Sequence, residues 1–133
     1  MNIGAAAKKS GLSVKTVRFY SDIGLISPDK STESNYRIYS NQDVEKLLFV
    51  GKARKFDFSI EECRELLSLY ENKERSSSEV KKITLKKIEE IEQRMAELNS
   101  LKSELKRVSR NCNGDQRPDC PIIGFLAETN GQT

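Results

Sequence analysis

Residues 78–111, SEVKKITLKKIEEIEQRMAELNSLKSELKRVSRN, contain neither glycine nor proline and repeat their apolar side chains at helical intervals. Val80, Ile83, Ile88, Ile91, Met95, Leu98, Leu101, Leu105 and Val108 recur mostly at steps of three or four, which places them in one stripe along a helix. At about 1.5 Å per residue such a helix is roughly 50 Å long. One small head cannot cover a stripe of that length, so the pattern predicts pairing with a copy of the same helix. The narrow stripe and its charged flanks suit an antiparallel or a parallel seam equally.

Working outward, residues 1–75 form a compact head, 76–111 the dimerisation helix, and 112–133 a loop, a short helix and a tail. The 133 residues suffice for one domain of about 100 and an appendage. Charged residues make up 32% of the chain, and no apolar run nears the ~20 residues of a membrane span. The start, Met1-Asn2-Ile3-Gly4, lacks a basic segment followed by an apolar one, so a cytoplasmic protein with no membrane partner is expected. The net charge of +3 is unevenly spread. Residues 1–56 hold ten Lys and Arg against five Asp and Glu, and residues 57–133 hold thirteen against fifteen. A basic head on a slightly acidic body suggests a polyanionic partner.

Ile3 to Lys9 has a short helical pattern that Gly11 would end in a left-handed turn. Ser13 can cap a second helix from Val14, running until Gly24. Two short helices joined by such a turn make a helix-turn-helix, whose second helix offers Lys15 and Thr16 in its first turn to a major groove. After Pro28 and a polar tip, Tyr36-Arg37-Ile38-Tyr39 alternates as a strand does, giving a two-stranded wing. Asn35 stands where that turn calls for a positive φ. Ser40-Asn41 caps a helix from Gln42 to about Phe56, with Val44, Leu47, Leu48 and Val50 as its buried positions. Ser59 and Glu62 form a capping box for a fourth helix, with Ile60, Cys63, Leu67 and Tyr70 on one face. Cys63 in that row is a small core residue, and Phe19 is also expected in the core.

The fold class is therefore mainly α: a winged helix-turn-helix head, a long dimerisation helix, and a C-terminal loop with a short helix. Val17-Arg18-Phe19-Tyr20 with Gly24-Leu25 and Pro28, then Tyr36-Arg37-Ile38-Tyr39, then the long helix, together resemble the MerR family of transcription regulators. Within it, the Cys112/Cys120 pair followed by Pro121-Ile122-Ile123 is similar to the copper-responsive, CueR-type members. The resemblance implies a homodimer joined by an antiparallel coiled coil, each head reading half of an inverted repeat in a promoter. It also implies an activator that bends and untwists promoter DNA for RNA polymerase when metal binds. Arg18 and Arg37 suit phosphate because a guanidinium donates two parallel bonds. The hydroxyls of Tyr20, Tyr36 and Tyr39 are placed to reach the DNA backbone while their rings pack, and Lys15, Lys30 and Arg54 add charge on that face.

Three Cys and no His argue for reduced thiols and leave sulfur and oxygen as metal donors. Gly114 and Pro118 shape a tight loop between Cys112 and Cys120, and Pro121 suits the first position of a short helix. That helix start favours a thiolate at Cys120. Two soft anionic sulfurs without His match a two-coordinate site for a soft monovalent ion. Zinc wants four ligands, which Asp115 and Asp119 would have to help supply, so it is disfavoured. Family members that sense divalent soft ions carry a third Cys near the start of the long helix, where this chain has Ser77. Two thiolates and a monovalent ion leave one negative charge, which Lys81 is placed to balance. Cu(I) is the expected ion, with Ag(I) or Au(I) as alternatives. The rival is a thiol–disulfide redox switch formed by the same two cysteines. An enzyme is not expected, because there is no His, no CxxC, no phosphate loop and no paired-carboxylate cleft. Nor is a drug sensor, since only about twenty residues follow the long helix.

Overall fold

The structure, a computed structural model, describes residues 1–111, Gly114 and residues 120–128. Its elements are α1 (Ile3–Ser10), α2 (Val14–Asp22), β1 (Asp29–Lys30), β2 (Arg37–Ile38), α3 (Asn41–Lys55), α4 (Ile60–Glu71), α5 (Ser77–Arg110) and α6 (Pro121–Ala127). Two compact units share α5, one ending at Lys87 and the other beginning at Ile88. The mainly α class, the two-stranded wing and the long helix are as the sequence predicts.

Local chemistry sets the helix ends in the first unit. Asn2, Ser13, Ser40 and Ser59 each accept a backbone N–H from the first turn of the helix they precede. Such a cap contributes about 1 kcal/mol by satisfying a donor that has no partner within the helix. Ser40 with Asp43, and Ser59 with Glu62, close complete capping boxes. Gly11 ends α1 at φ 73°, and Asn35 turns the wing at φ 59°. The wing strands pair antiparallel, with Asp29 opposite Ile38 and Lys30 opposite Arg37.

The core of this unit lies where α1 packs on α2 and α3, and α3 on α4. Ala6, Val17, Ile26, Tyr39, Leu47, Val50 and Cys63 are buried there. Burial raises the Cys63 thiol, as removal from water disfavours the thiolate. Two expected core positions turn out otherwise. Phe19 is 50% exposed, because Val17, Tyr20 and Ser21 set the inward face of α2 and a residue two places after Val17 rotates away from it. Leu48 is half exposed for the same reason, one step beyond Leu47 on α3. Tyr70 lies at the rim of α4, stacked on Phe49 with centroids 4.9 Å apart.

The first three turns of α5 are fastened to α4 by a nearly dry ion pair. Lys87 Nζ lies 2.9 Å from Glu62 Oε1 and 5.6 Å from the Phe58 ring centroid. Burial pushes the Glu62 carboxyl up, but the Ser59 backbone N–H and Lys87 outweigh that and hold it low. A depressed carboxylate stabilises the fold above its unfolded pKa and stops doing so as pH falls through the folded value. Lys87→Met is therefore expected to cost about 2 kcal/mol at neutral pH in urea unfolding, the penalty for stranding a buried carboxylate. The gap to wild type should close as pH drops below the ordinary carboxylate range. A gap that persists there would assign the loss to packing.

In the second unit α5 continues with Ile88, Ile91, Met95, Leu98, Leu101 and Leu105 facing outward, between 36% and 61% exposed. Val108 is buried. Arg107 holds Glu104 at 2.6 Å and stands 6.0 Å from the Phe125 ring of α6, so α6 packs against the last turns of α5. Among the described residues no helix is long and apolar enough to cross a membrane.

Candidate nucleic-acid interface and metal site

The second helix of the helix-turn-helix and the wing together enclose a hollow of about 450 Å³. Arg18 from α2, Lys30 from β1, Arg37 from β2, and Asn35 and Tyr36 from the wing turn all line it. Four of the residues expected to contact DNA thus share one surface. The pairing register sets Lys30 directly opposite Arg37, an arrangement that like charges disfavour. A polyanion between them would turn that cost into affinity. Tyr36 stands 77% exposed at the mouth.

Arg37 is already held. Its Nη2 donates to Asp22 Oδ1 at 2.7 Å, and that bond, with Tyr39 nearby, raises the guanidinium above its ordinary value. Asp22 ends α2, so this contact ties the wing to the helix. A second tie runs beside it. The Tyr39 hydroxyl and Ser21 Oγ lie 2.8 Å apart, and Ser21 donates to the Val17 carbonyl at 2.8 Å.

Tyr39, at 1% exposure, has its hydroxyl committed to Ser21 and so does not turn it outward to DNA, while Tyr20, at 6% exposure, has its ring buried. Their rings fill the seam between α2, the wing and the body. Lys15 is exposed in the first turn of α2, while Thr16 is half-buried and its hydroxyl accepts from Ser13 at 2.9 Å. Arg54 lies apart from the hollow. Its Nη1 donates to the Phe58 carbonyl at 2.8 Å and steadies the turn between α3 and α4. Asn2, Ile3 and Asn35 also line the hollow, and Asp22 braces Arg37 beside it, none of which the sequence reading places on this surface. Nothing local in the sequence signals the Asp22–Arg37 contact.

Of the sensor residues, Cys120 is half-buried and N-caps α6, whose first residue is Pro121 as expected. Gly114 has a positive φ of 66°. Cys112, Asp115, Pro118 and Asp119 lie outside the described residues. Ser77 opens α5, and Lys81 is exposed one turn later. Among the described residues no three His, Cys, Asp or Glu side chains gather into a metal cluster.

Residues 1–69 match the family described as MerR HTH family regulatory protein, and residues 44–108 match MerR, DNA binding. Heavy metal-dependent transcription regulator 2 of Rhizobium meliloti is 47% identical over 132 residues, 99% of this chain and 90% of that protein. The HTH-type transcriptional regulator CueR of Yersinia pestis is 43% identical over 127 residues, 96% of this chain and 91% of that one. A solved structure of a transcription regulator from Ralstonia metallidurans in complex with lead(II) superimposes with a TM-score of 0.80 at 34% identity, covering 96% and 99% of the two chains.

Proposed function

Because this chain belongs to the MerR family of DNA-binding transcription regulators, we propose that it is a metal-responsive activator working as a homodimer on promoter DNA. Membership of that family makes it a regulator and not an enzyme. The metal is a soft monovalent ion, Cu(I) first and Ag(I) or Au(I) as alternatives, held by Cys112 and Cys120. The regulated genes remove or detoxify that metal. The observation that carries this reading is the match to regulators named for heavy-metal dependence across 99% of the chain, the cysteine-bearing C-terminal segment included.

The donor chemistry fits. The chain has no imidazole to offer, and the Cys120 thiol sits half-buried at the start of α6. Cys112 and Cys120 hold the ion, and Ser77 and Lys81 near the start of α5 supply neutral and cationic neighbours. Lys15, Thr16, Arg18, Lys30, Tyr36 and Arg37 hold the duplex, while Tyr20 and Tyr39 keep α2 and the wing in register.

Activation is a population shift. The metal must favour one dimer state by enough to offset DNA deformation of a few kcal/mol. The distorted promoter then presents its elements to RNA polymerase. Transcription in vitro under reducing, oxygen-free conditions tests this. Cu(I), Ag(I) or Au(I) should raise transcript, and Hg(II) and Zn(II) should not. Activation by oxidant without metal would replace the metal reading with a redox one.

A further inference from the structure

We propose that Asp22 is a positioning residue for operator recognition: its carboxylate aims the Arg37 guanidinium at the duplex and thereby sets specificity. This rests on the operator-binding reading above and goes beyond it, because Asp22 itself carries the wrong charge to touch a phosphate. Three cations, Arg18, Lys30 and Arg37, converge on one hollow, and Lys30 and Arg37 face each other across the β1–β2 ladder. A long arginine side chain in that field would swing away from its neighbours. The 2.7 Å contact from Nη2 to Asp22 stops it, using one edge of the guanidinium. The Arg37 side chain is still 29% exposed and lines the hollow, so the contact does not shut it away. A guanidinium fixed in this way binds phosphate with less ordering cost than a free one.

The contact also joins two elements. Asp22 is the last residue of α2 and Arg37 the first of β2, so the helix and the wing present their cations as one body. Phosphate contacts fix register on the duplex, and register decides which base edges α2 meets. Loss of the carboxylate should therefore weaken specific binding more than non-specific binding.

Simple electrostatics predicts the reverse for Asp22→Asn. Deleting a negative charge beside a DNA surface should tighten binding to every sequence. That opposition makes the test decisive. The probes are a duplex enriched by the wild-type protein from a randomised pool and a shuffled duplex of the same composition. Asp22→Asn is expected to bind the enriched duplex about tenfold more weakly, with a log K against log salt slope shallower by about one, the loss of one phosphate contact. Binding to the shuffled duplex should fall by less, about twofold or under. There the deleted negative charge offsets part of the lost contact, and no register is at stake. Arg37→Ala should cause a similar loss, and adding it to Asp22→Asn should cost little more, since the two act as one unit. Asp22→Glu should recover part of the affinity. Thermal melts of all variants separate misfolding from misaiming.

Tighter binding of Asp22→Asn with an unchanged slope overturns the proposal, as do additive losses in the double variant. Failure of the wild-type protein to enrich any duplex would instead remove the operator-binding reading itself.

Discussion

Replacing Leu98 and Leu101 with aspartate is expected to give a folded head on a monomeric chain that no longer holds its operator. These two side chains are 57% and 61% exposed at the middle of the outward stripe on α5. In an antiparallel or a parallel pairing each would be buried twice, once per copy. Burying a leucine is worth about 2 kcal/mol, so four of them contribute roughly 8 kcal/mol before any repulsion among the new carboxylates. That corresponds to about a millionfold in the dimer dissociation constant. The unit from Met1 to Lys87 has its own core and should melt as before. Two linked heads bind an inverted repeat with an advantage of about a hundredfold or more over one. Sedimentation equilibrium, together with gel shifts on the enriched duplex, measures both effects. A variant that sediments as a dimer at micromolar concentration would show that the stripe on α5 has some other purpose.

The second large effect concerns the thiols. Cys120→Ser should abolish metal-dependent transcription while leaving metal-free operator binding within about twofold, and Cys112→Ser should do the same. A serine hydroxyl stays neutral at neutral pH and offers a soft ion almost nothing, so one remaining thiolate cannot make a two-coordinate site. The Cu(I) needed for half-maximal transcript should rise by at least a hundredfold or so. Cys63 will not substitute, since it is fully buried in the head and its thiol is harder to ionise than usual. Protons compete with metal for the thiolates, so the wild-type response should weaken as pH falls. Run-off transcription and Cu(I) titration against a chelator of known affinity read these out. A wild-type response in either variant would remove the pair from the sensor. Loss of metal-free operator binding would deny that sensing and binding are separate tasks.

Much of this was legible where the governing physics is local. The Ser59–Glu62 capping box, Gly11 at the end of α1, Asn35 in the wing turn and Pro121 at the start of α6 each depend on a few neighbouring residues. The long stripe on α5 was legible because its period runs through many turns. Face assignment on short helices was less secure. Phe19 and Leu48 are apolar, yet each sits one or two positions off the inward face; α2, at nine residues, offers few repeats from which to fix that face, and on α3 the adjacent Leu47 and Leu48 compete for it. The contacts with least trace in the sequence join distant segments. Asp22 meets Arg37, and Glu62 meets Lys87, only after tertiary packing has chosen among many possible partners. Arg18, Lys30, Tyr36 and Arg37, which the family resemblance groups, line one hollow, while Tyr39 is buried with its hydroxyl held by Ser21.

The placement of the tyrosines gives the molecule an optical property. With no tryptophan in the chain, near-ultraviolet emission comes from four phenol rings. Tyr20 and Tyr39 are shut away from solvent, and Tyr70 is stacked face to face on Phe49. Tyr36 stands the most open, 77% exposed against 42% for Tyr70, at the mouth of the cationic hollow. A water-soluble quencher such as acrylamide therefore collides chiefly with that ring, and a duplex lying over it would shield it. Occupancy of the wing can thus be followed by the protein's own fluorescence, with no dye attached.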